Sequence, residues 1–205
     1  MLEKQRSLCS NELYFFAIAK IAERLPAASD GDGRLHQCRS QGRALAGEPG
    51  PLWIWSARQS QGRGRGGREW VSQHGNLFAS LLIRVNCPLR VAGQLALLAG
   101  IITFDTIAKL IAYEGRSEIL LKWPNDILLA GEKVAGMLLE NVGSANESRS
   151  VVVIGTGINL ASHPENLPQP AVSLATYGMT VPPADALETL GATTHEWLGR
   201  WGEGS

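Results

Sequence analysis

The chain has 205 residues, enough for one well-packed domain and too few for two large ones. Hydrophobic residues make up 44% and charged residues 19%, and Lys+Arg and Asp+Glu both number 19. That balance is ordinary for a globular protein and removes the overall basic field expected of a nucleic-acid partner. The three cysteines, Cys9, Cys38 and Cys87, have no CxxC spacing and no histidine cluster near them, which points to a reducing cytoplasm without a structural disulfide. Lys4 and Arg6 before the apolar run Leu13 to Ala19 imitate a signal peptide only faintly. The run is short, Asn11 and Glu12 precede it, and Lys20 follows it at once. The longest apolar stretch, Val91 to Phe104, is interrupted by Gln94 and stopped by Asp105, so no membrane span is expected.

In chain order, Leu13 to Leu25 has partial helical spacing and is ended by Pro26. Ala27 to Gly50 is rich in Gly, Ser and Arg without a period and reads as loop. Pro51 opens a strand over Leu52 to Trp55, and a glycine–arginine loop follows from Gly62 to Arg68. Leu77 to Val85 reads as a second strand, broken by Asn86-Cys87-Pro88. Val91 to Tyr113 carries apolar residues at helical spacing and predicts a long buried helix. Four short strands follow: Glu118 to Lys122, Ile127 to Leu129, Val134 to Asn141 and Val151 to Ile154. Gly131-Glu132 is read as a hairpin turn and Gly143 to Ser150 as a polar loop. Thr180, Pro182-Pro183 and Asp185 start a final helix through Leu187, Leu190, Trp197 and Trp201. Strands predominate with helices interleaved irregularly, which predicts an α+β fold with a mixed, largely antiparallel sheet flanked by helices.

The most informative segment runs from Gln59 to Trp70. Gly62, Gly64 and Gly67 satisfy a loose GxGxxG, but a dinucleotide site needs a helix directly after the loop, and Glu69 to Val85 reads as turn and strand. Neither a Gly-Lys-Ser/Thr ending nor the HRD and DFG of kinases is present. What remains is four glycines and three arginines in seven residues. Glycines let backbone N–H groups approach an anion, and Arg63, Arg65 and Arg68 supply planar charged forks for carboxylate and phosphate. The same composition also suits a solvated surface loop or an RNA-binding Gly–Arg segment, although the latter usually repeats in a disordered tail.

Two further segments carry polar groups at strand ends. Lys122-Trp123-Pro124-Asn125-Asp126 places Asn125 and Asp126 at the lip of a strand stopped by Pro124, where turn chemistry alone also accounts for them. Lys133-Val134-Ala135-Gly136-Met137-Leu138-Leu139-Glu140 puts a lysine at a strand mouth and a glycine inside, a mark of close backbone or ligand approach. Val151 to Asn159 reads as a buried strand, a Gly155-Thr156-Gly157 turn, and an asparagine able to read an amide or a purine edge.

In this order, Gln59 to Trp70, Gly75-Asn76-Leu77, Lys122 to Asp126, Lys133 to Glu140 and Gly155 to Asn159 together resemble the biotin protein ligases, with coverage from about Gly47 to Trp201. The resemblance implies a core like that of class II aminoacyl-tRNA synthetases. It implies an atypical N-terminal segment over 1–46 and a catalytic domain over 47–205. It also implies an enzyme that activates biotin with ATP and Mg²⁺ and transfers it to a lysine of a biotin carboxyl carrier protein. A homodimer is the other partner it suggests.

The residue roles follow from the same resemblance. Gln59, Gly62 and Arg63-Gly64-Arg65 would contact biotin and its activated carboxylate, Arg68 would belong to the same ordering loop, and Trp70 would pack near the adenine. Lys133 would bind the carboxylate and α-phosphate, with Lys122 as a second cation. Asn125 would hold the nucleotide, Gly136 and Leu138 would line the biotin pocket, and Asn159 would lie on the adenine side. Two anions must meet in such a reaction, so charge neutralisation and positioning carry it, with no protein nucleophile. Asp126 is the candidate for orienting or deprotonating the acceptor amine. An inactive relative and a lipoate–protein ligase are the competing readings; the arginine loop and Lys-Trp-Pro-Asn-Asp match the biotin branch.

The chain departs from the family pattern in three places. The Ser-Thr-Asn motif expected before the first core strand is absent. Leu35 to Gln41 can be encoded by nucleotides that, read one position later, spell Ser-Thr-Asn-Ala-Glu-Ala, so the text from before Gly31 to about Gln41 reads as a shifted frame. The gene's nucleotide sequence tests this directly. Neither a small C-terminal β-barrel nor an N-terminal winged helix is legible, so a repressor role is not expected.

Overall fold

The computed structural model describes residues 36–204 apart from 48–49, 60, 112–117, 143–148 and 166. The predicted helix over Leu13 to Leu25 lies outside the described residues. Six strands form one antiparallel sheet: β1 (Leu52–Ser56), β2 (Leu77–Val85), β3 (Ile119–Lys122), β4 (Asp126–Leu129), β5 (Glu132–Asn141) and β6 (Ser150–Ile158). Their order is β1-β2-β6-β5-β4-β3 and every neighbouring pair is antiparallel. The sheet is therefore not mixed among the described residues, and the α+β class holds.

Helices cover both faces, which is why β2 is apolar along almost its whole length. On one face lie α2 (Leu89–Ala92), α3 (Leu95–Leu110) and α4 (Pro183–Gly204). They enclose the main core with Leu81, Ile83, Ile154 and Met137 of the sheet. The helix read over Val91 to Tyr113 is broken near Gly93 and ends at Leu110. In α3 the buried residues Leu95, Leu98, Ala99, Ile102, Thr106 and Ile107 recur at helical spacing. The hydroxyls of Thr103 and Thr106 are satisfied by donating to Ala99 O and Ile102 O, 2.8 and 2.7 Å away. The helical stretch Leu89–Leu110 has the length and composition to cross a membrane, longer than the run read from the sequence. It does not stop at Asp105 because that carboxylate accepts a 2.6 Å hydrogen bond from Trp197 Nε1 of α4.

The other face is covered at one end by α1 (His36–Leu45), where a loop was predicted. Its sequence is mostly polar, with few apolar residues to mark the face it buries, and tertiary contacts hold it. Ala44 packs with Leu82 and Val153, Arg84 Nη2 donates to Ala44 O at 2.9 Å, and Gln41 Nε2 donates to Glu140 Oε2 at 2.9 Å. The β4–β5 hairpin turns through Ala130 and Gly131, both at positive φ, one residue earlier than predicted. Strand β6 continues through Gly155-Thr156-Gly157 to Ile158, so the predicted turn there is extended strand.

Candidate active site

Directly paired residues in an antiparallel sheet project to one face, and the register aligns Phe78, Gly157, Gly136 and Asp126 across four strands. The next row is Ser80, Gly155 and Leu138. Three adjacent positions at the centre of this face therefore lack side chains, and α1 covers only the rows beyond them. The bare backbone is the floor of a cavity of about 230 Å³.

The glycine–arginine loop forms one wall. It is a tight hairpin, closed by Trp70 N donating to Gly62 O at 2.9 Å and Gly64 N donating to Arg68 O at 2.7 Å, with a single 3₁₀ turn over Arg65–Gly67. Arg68 Nε donates to Arg65 O at 3.2 Å, tying the two arginines together. Gly62 faces the loop itself and is buried: a Cβ there would stand 2.1 Å from Trp70 O, so only glycine fits. The hairpin ends by laying the Trp70 indole on the floor. A Cβ at Gly136 or Gly157 would come within 2.8 or 2.7 Å of that ring. Trp70 Nε1 is buried there, with no hydrogen-bond partner among the described residues.

Lys133 is held over the same floor. Its Nζ lies 2.6 Å from Asp126 Oδ1 and 5.2 Å from the Trp70 ring centroid, and the two side chains are 21% and 13% exposed. Its backbone is fixed by the segment that follows β6, since Lys133 N donates to Pro170 O and Val172 N donates to Lys133 O, both at 2.9 Å. Asn159 completes this clamp: its side-chain nitrogen donates to Val172 O at 3.1 Å and Lys133 O at 3.4 Å. Asn125 Nδ2 donates to Met137 O at 3.0 Å, and Met137 N donates back to Asn125 O at the same distance.

Of the residues singled out in the sequence, Gln59, Arg63, Gly64, Arg65, Arg68, Trp70, Asn125, Lys133, Gly136, Leu138 and Asn159 all line this one cavity. Asp126 reaches it through its ion pair with Lys133. Gly62 and Lys122 are not among the lining residues. Lys122 is exposed on β3 opposite Asp126, because the hairpin register, not the cavity, sets its position.

Two parts of the site escaped the sequence reading. Pro164, Leu167, Pro168 and Gln169 form the wall opposite the arginine hairpin, in a segment with no period to mark it. Asn76 is the second. It is 1% exposed, and its Oδ1 accepts from the N–H groups of Leu160, Ala161 and Ser162 at 2.9, 2.9 and 3.2 Å, while Nδ2 donates to Ser162 O at 2.9 Å. One side chain thus fixes the start of that wall. Gly75-Asn76-Leu77 was visible as a motif, but its task depends on a partner 84 residues away.

Residues 38–159, more than half of the chain, match the model of the biotin/lipoate A/B protein ligase family. The chain is 37% identical over 157 residues to a biotin–[acetyl-CoA-carboxylase] ligase of Paracoccus denitrificans, covering 74% of this chain and 64% of that one. It is 39% identical over 104 residues to the bifunctional ligase/repressor BirA of Escherichia coli, covering 50% and 31%. The chain thus spans less than two thirds of the length of these relatives. The biotin protein ligase of Aquifex aeolicus in complex with biotin and ATP superposes with a TM-score of 0.64 at 26% identity, covering 83% of this chain and 69% of that one. The Leishmania major enzyme in complex with biotinyl-5-AMP shares the fold, with a TM-score of 0.66 at 24% identity over 82% and 72%. With the family model matched over more than half of its length, the chain belongs to the biotin/lipoate A/B protein ligase family.

Proposed function

We propose that this chain activates biotin with ATP and transfers it to a lysine of a biotin carrier protein. A single observation carries the reading: Arg63, Arg65, Arg68 and Lys133 meet around one cavity floored by Gly155 and by the Trp70 indole on Gly136 and Gly157. A compact ring system can lie on such a floor while the carboxylate at the end of its side chain faces the cations. In the first step a carboxylate oxygen of biotin bonds to the α-phosphorus of ATP. The bond from that phosphorus to the bridging oxygen breaks, and pyrophosphate leaves. Both reactants are anions, so the guanidinium and ammonium groups lower the barrier by neutralising charge that builds in the transition state. In the second step the acceptor amine bonds to the acyl carbon, AMP leaves with the anhydride oxygen, and the amine loses a proton.

Asp126 serves both steps. It holds Lys133 over the floor in the free protein, and it orients the acceptor amine or accepts its proton once Lys133 turns to the phosphate. Asn159 acts by holding the Lys133 backbone, and its side-chain nitrogen is already committed. Mg²⁺ enters with the nucleotide as MgATP. Among the described residues no cluster of three metal-binding side chains exists, and Mg²⁺ is commonly held by phosphate oxygens with one or two carboxylates, for which Glu69 on the cavity wall is suited. The buried Cys87 forms no disulfide among the described residues, which fits a cytoplasmic setting, and a second copy of the chain is the other partner we assign.

The test uses labelled biotin, MgATP and a biotin carrier domain, with lipoate in a parallel reaction. Biotinyl-AMP and labelled carrier are the expected products. Transfer of lipoate in place of biotin moves the assignment to the other branch of the family, and no adenylate from either acid overturns it.

A further inference from the structure

Gln169 stands between two prolines, in the order Pro168-Gln169-Pro170-Ala171. A residue before proline is confined to extended backbone, so the sequence itself presets Gln169 there. Alternation along an extended segment then sends Gln169 and Ala171 to one side and Pro170 to the other. Gln169 and Ala171 do line the cavity, whereas the Pro170 carbonyl accepts a 2.9 Å hydrogen bond from Lys133 N. Ala171 bridges Lys133 in parallel, which anchors this stretch beside the lysine. Gln169 is half-buried, and among the described residues its amide makes no hydrogen bond.

The place of that amide along the cavity gives it a task. Lys133 reaches back over Gly136, where its Cε would stand 3.2 Å from an added Cβ. A ring over Gly155 and a phosphate at Lys133 Nζ make the ligand run along β5 from Leu138 towards Lys133. In the parallel bridge of Ala171 with Lys133, Gln169 stands level with Gly131, beyond the phosphate. The nucleoside is the part of the ligand that reaches this end. Pro164, Leu167 and Pro168 offer the base an apolar face, and their side chains carry nothing that can read its edge.

The other uncharged polar side chains on the lining are engaged or remote. Asn159 and Asn125 already donate their side-chain nitrogens to backbone carbonyls. Thr156 pairs with Ala79 and Met137, so its side chain turns to the core beneath the sheet. Gln59 lies past the end of β1, three strands from β5. We infer that Gln169 is the residue that reads the nucleotide base, its amide oxygen accepting from the 6-amino group of the purine. The assignment rests on the biotin-activating reading above and names the side chain that selects its nucleotide.

The test compares ATP with purine riboside 5′-triphosphate, which lacks only the 6-amino group, in pyrophosphate release driven by biotin and Mg²⁺. The probe carries no 6-substituent at all, because an amide turned over would donate to a 6-oxo group as readily as it accepts from a 6-amino group. Wild type favours ATP about tenfold in kcat/KM, the worth of one hydrogen bond. Gln169→Leu uses the two triphosphates equally, because its KM for ATP rises to that of the probe. Its KM for biotin and its melting temperature stay those of wild type. A variant that merely disturbed the wall would lose both triphosphates in proportion and keep the tenfold ratio. Equal use of both by wild type, or the preference kept in Gln169→Leu, overturns the assignment and leaves biotin activation standing. No pyrophosphate from wild type with either triphosphate overturns both.

Discussion

Lys133 and Asp126 come from neighbouring strands and meet at 2.6 Å beside the cavity floor, each less than a quarter exposed. The pair is sheltered enough to resist screening, yet it stands where an anionic ligand must arrive. Lys133→Ala removes the ammonium aimed at the reacting phosphate and leaves Asp126 unpaired, and we expect adenylate formation to fall ~10²–10³-fold. Asp126→Asn keeps the size and a hydrogen-bonding group but loses the negative charge. Transfer to the carrier then falls ~10²-fold while adenylate formation changes much less. Single-turnover measurements of each half-reaction separate the two, and equal losses in both would remove the proton-accepting role of Asp126.

The indole of Trp70 rests on Gly136 and Gly157. Gly157→Ala drives a methyl group to within 2.7 Å of that ring, and we expect it to destabilise the protein by ~1–3 kcal/mol. Adding Trp70→Ala relieves the clash, so the pair is less damaging than the sum of its members. Trp70→Phe removes an N–H that has no partner among the described residues and leaves the two-glycine floor intact, so it costs less than Trp70→Ala. Thermal melts of these variants check all three statements.

Arg65→Ala leaves the hairpin able to form, since its closing bonds are backbone to backbone. It removes one fork from the cavity and loosens Arg68, which donates to the Arg65 carbonyl. The adenylate then dissociates ~10²-fold faster with little change in melting temperature. The off-rate of biotinyl-AMP, followed by displacement, measures this.

Asn76→Ala strands three N–H groups at the start of the far wall and costs ~3 kcal/mol. Asn76→Asp keeps the acceptor of those three bonds and loses the donor to Ser162 O, so it costs less. Urea unfolding ranks the two. Hydrogen exchange at Leu160 to Ser162 rises in the alanine variant before the rest of the sheet is affected.

Where a segment's own pattern and its tertiary setting agree, the sequence was legible. Leu77 to Val85 reads as strand because both of its faces are covered. Arg63 and Arg65 stand out by charge beside glycine and Lys133 by the family pattern, and all three line one cavity. Helix α1 was missed because its bonds to Arg84 and Glu140 stabilise a segment with few apolar residues. The spacing of Gly155 and Gly157 predicts a turn; here both pair on two sides as extended strand, and the Trp70 indole packs on Gly157. Asn159 was assigned to a ligand because its amide suits one, whereas Val172 O and Lys133 O take that nitrogen. Pro164, Leu167, Pro168 and Gln169 are uncharged and follow no period, and only the fold brings them to the cavity.

The most direct measurement is a crystal structure of the chain with bound biotinyl-5′-AMP. The account predicts the bicyclic ring over Gly155 beside the Trp70 indole, and the acyl-phosphate within hydrogen-bonding distance of Lys133 Nζ and of at least one guanidinium among Arg63, Arg65 and Arg68. A ligand seated elsewhere, or one in this cavity with its phosphate turned away from all four cations, would contradict it.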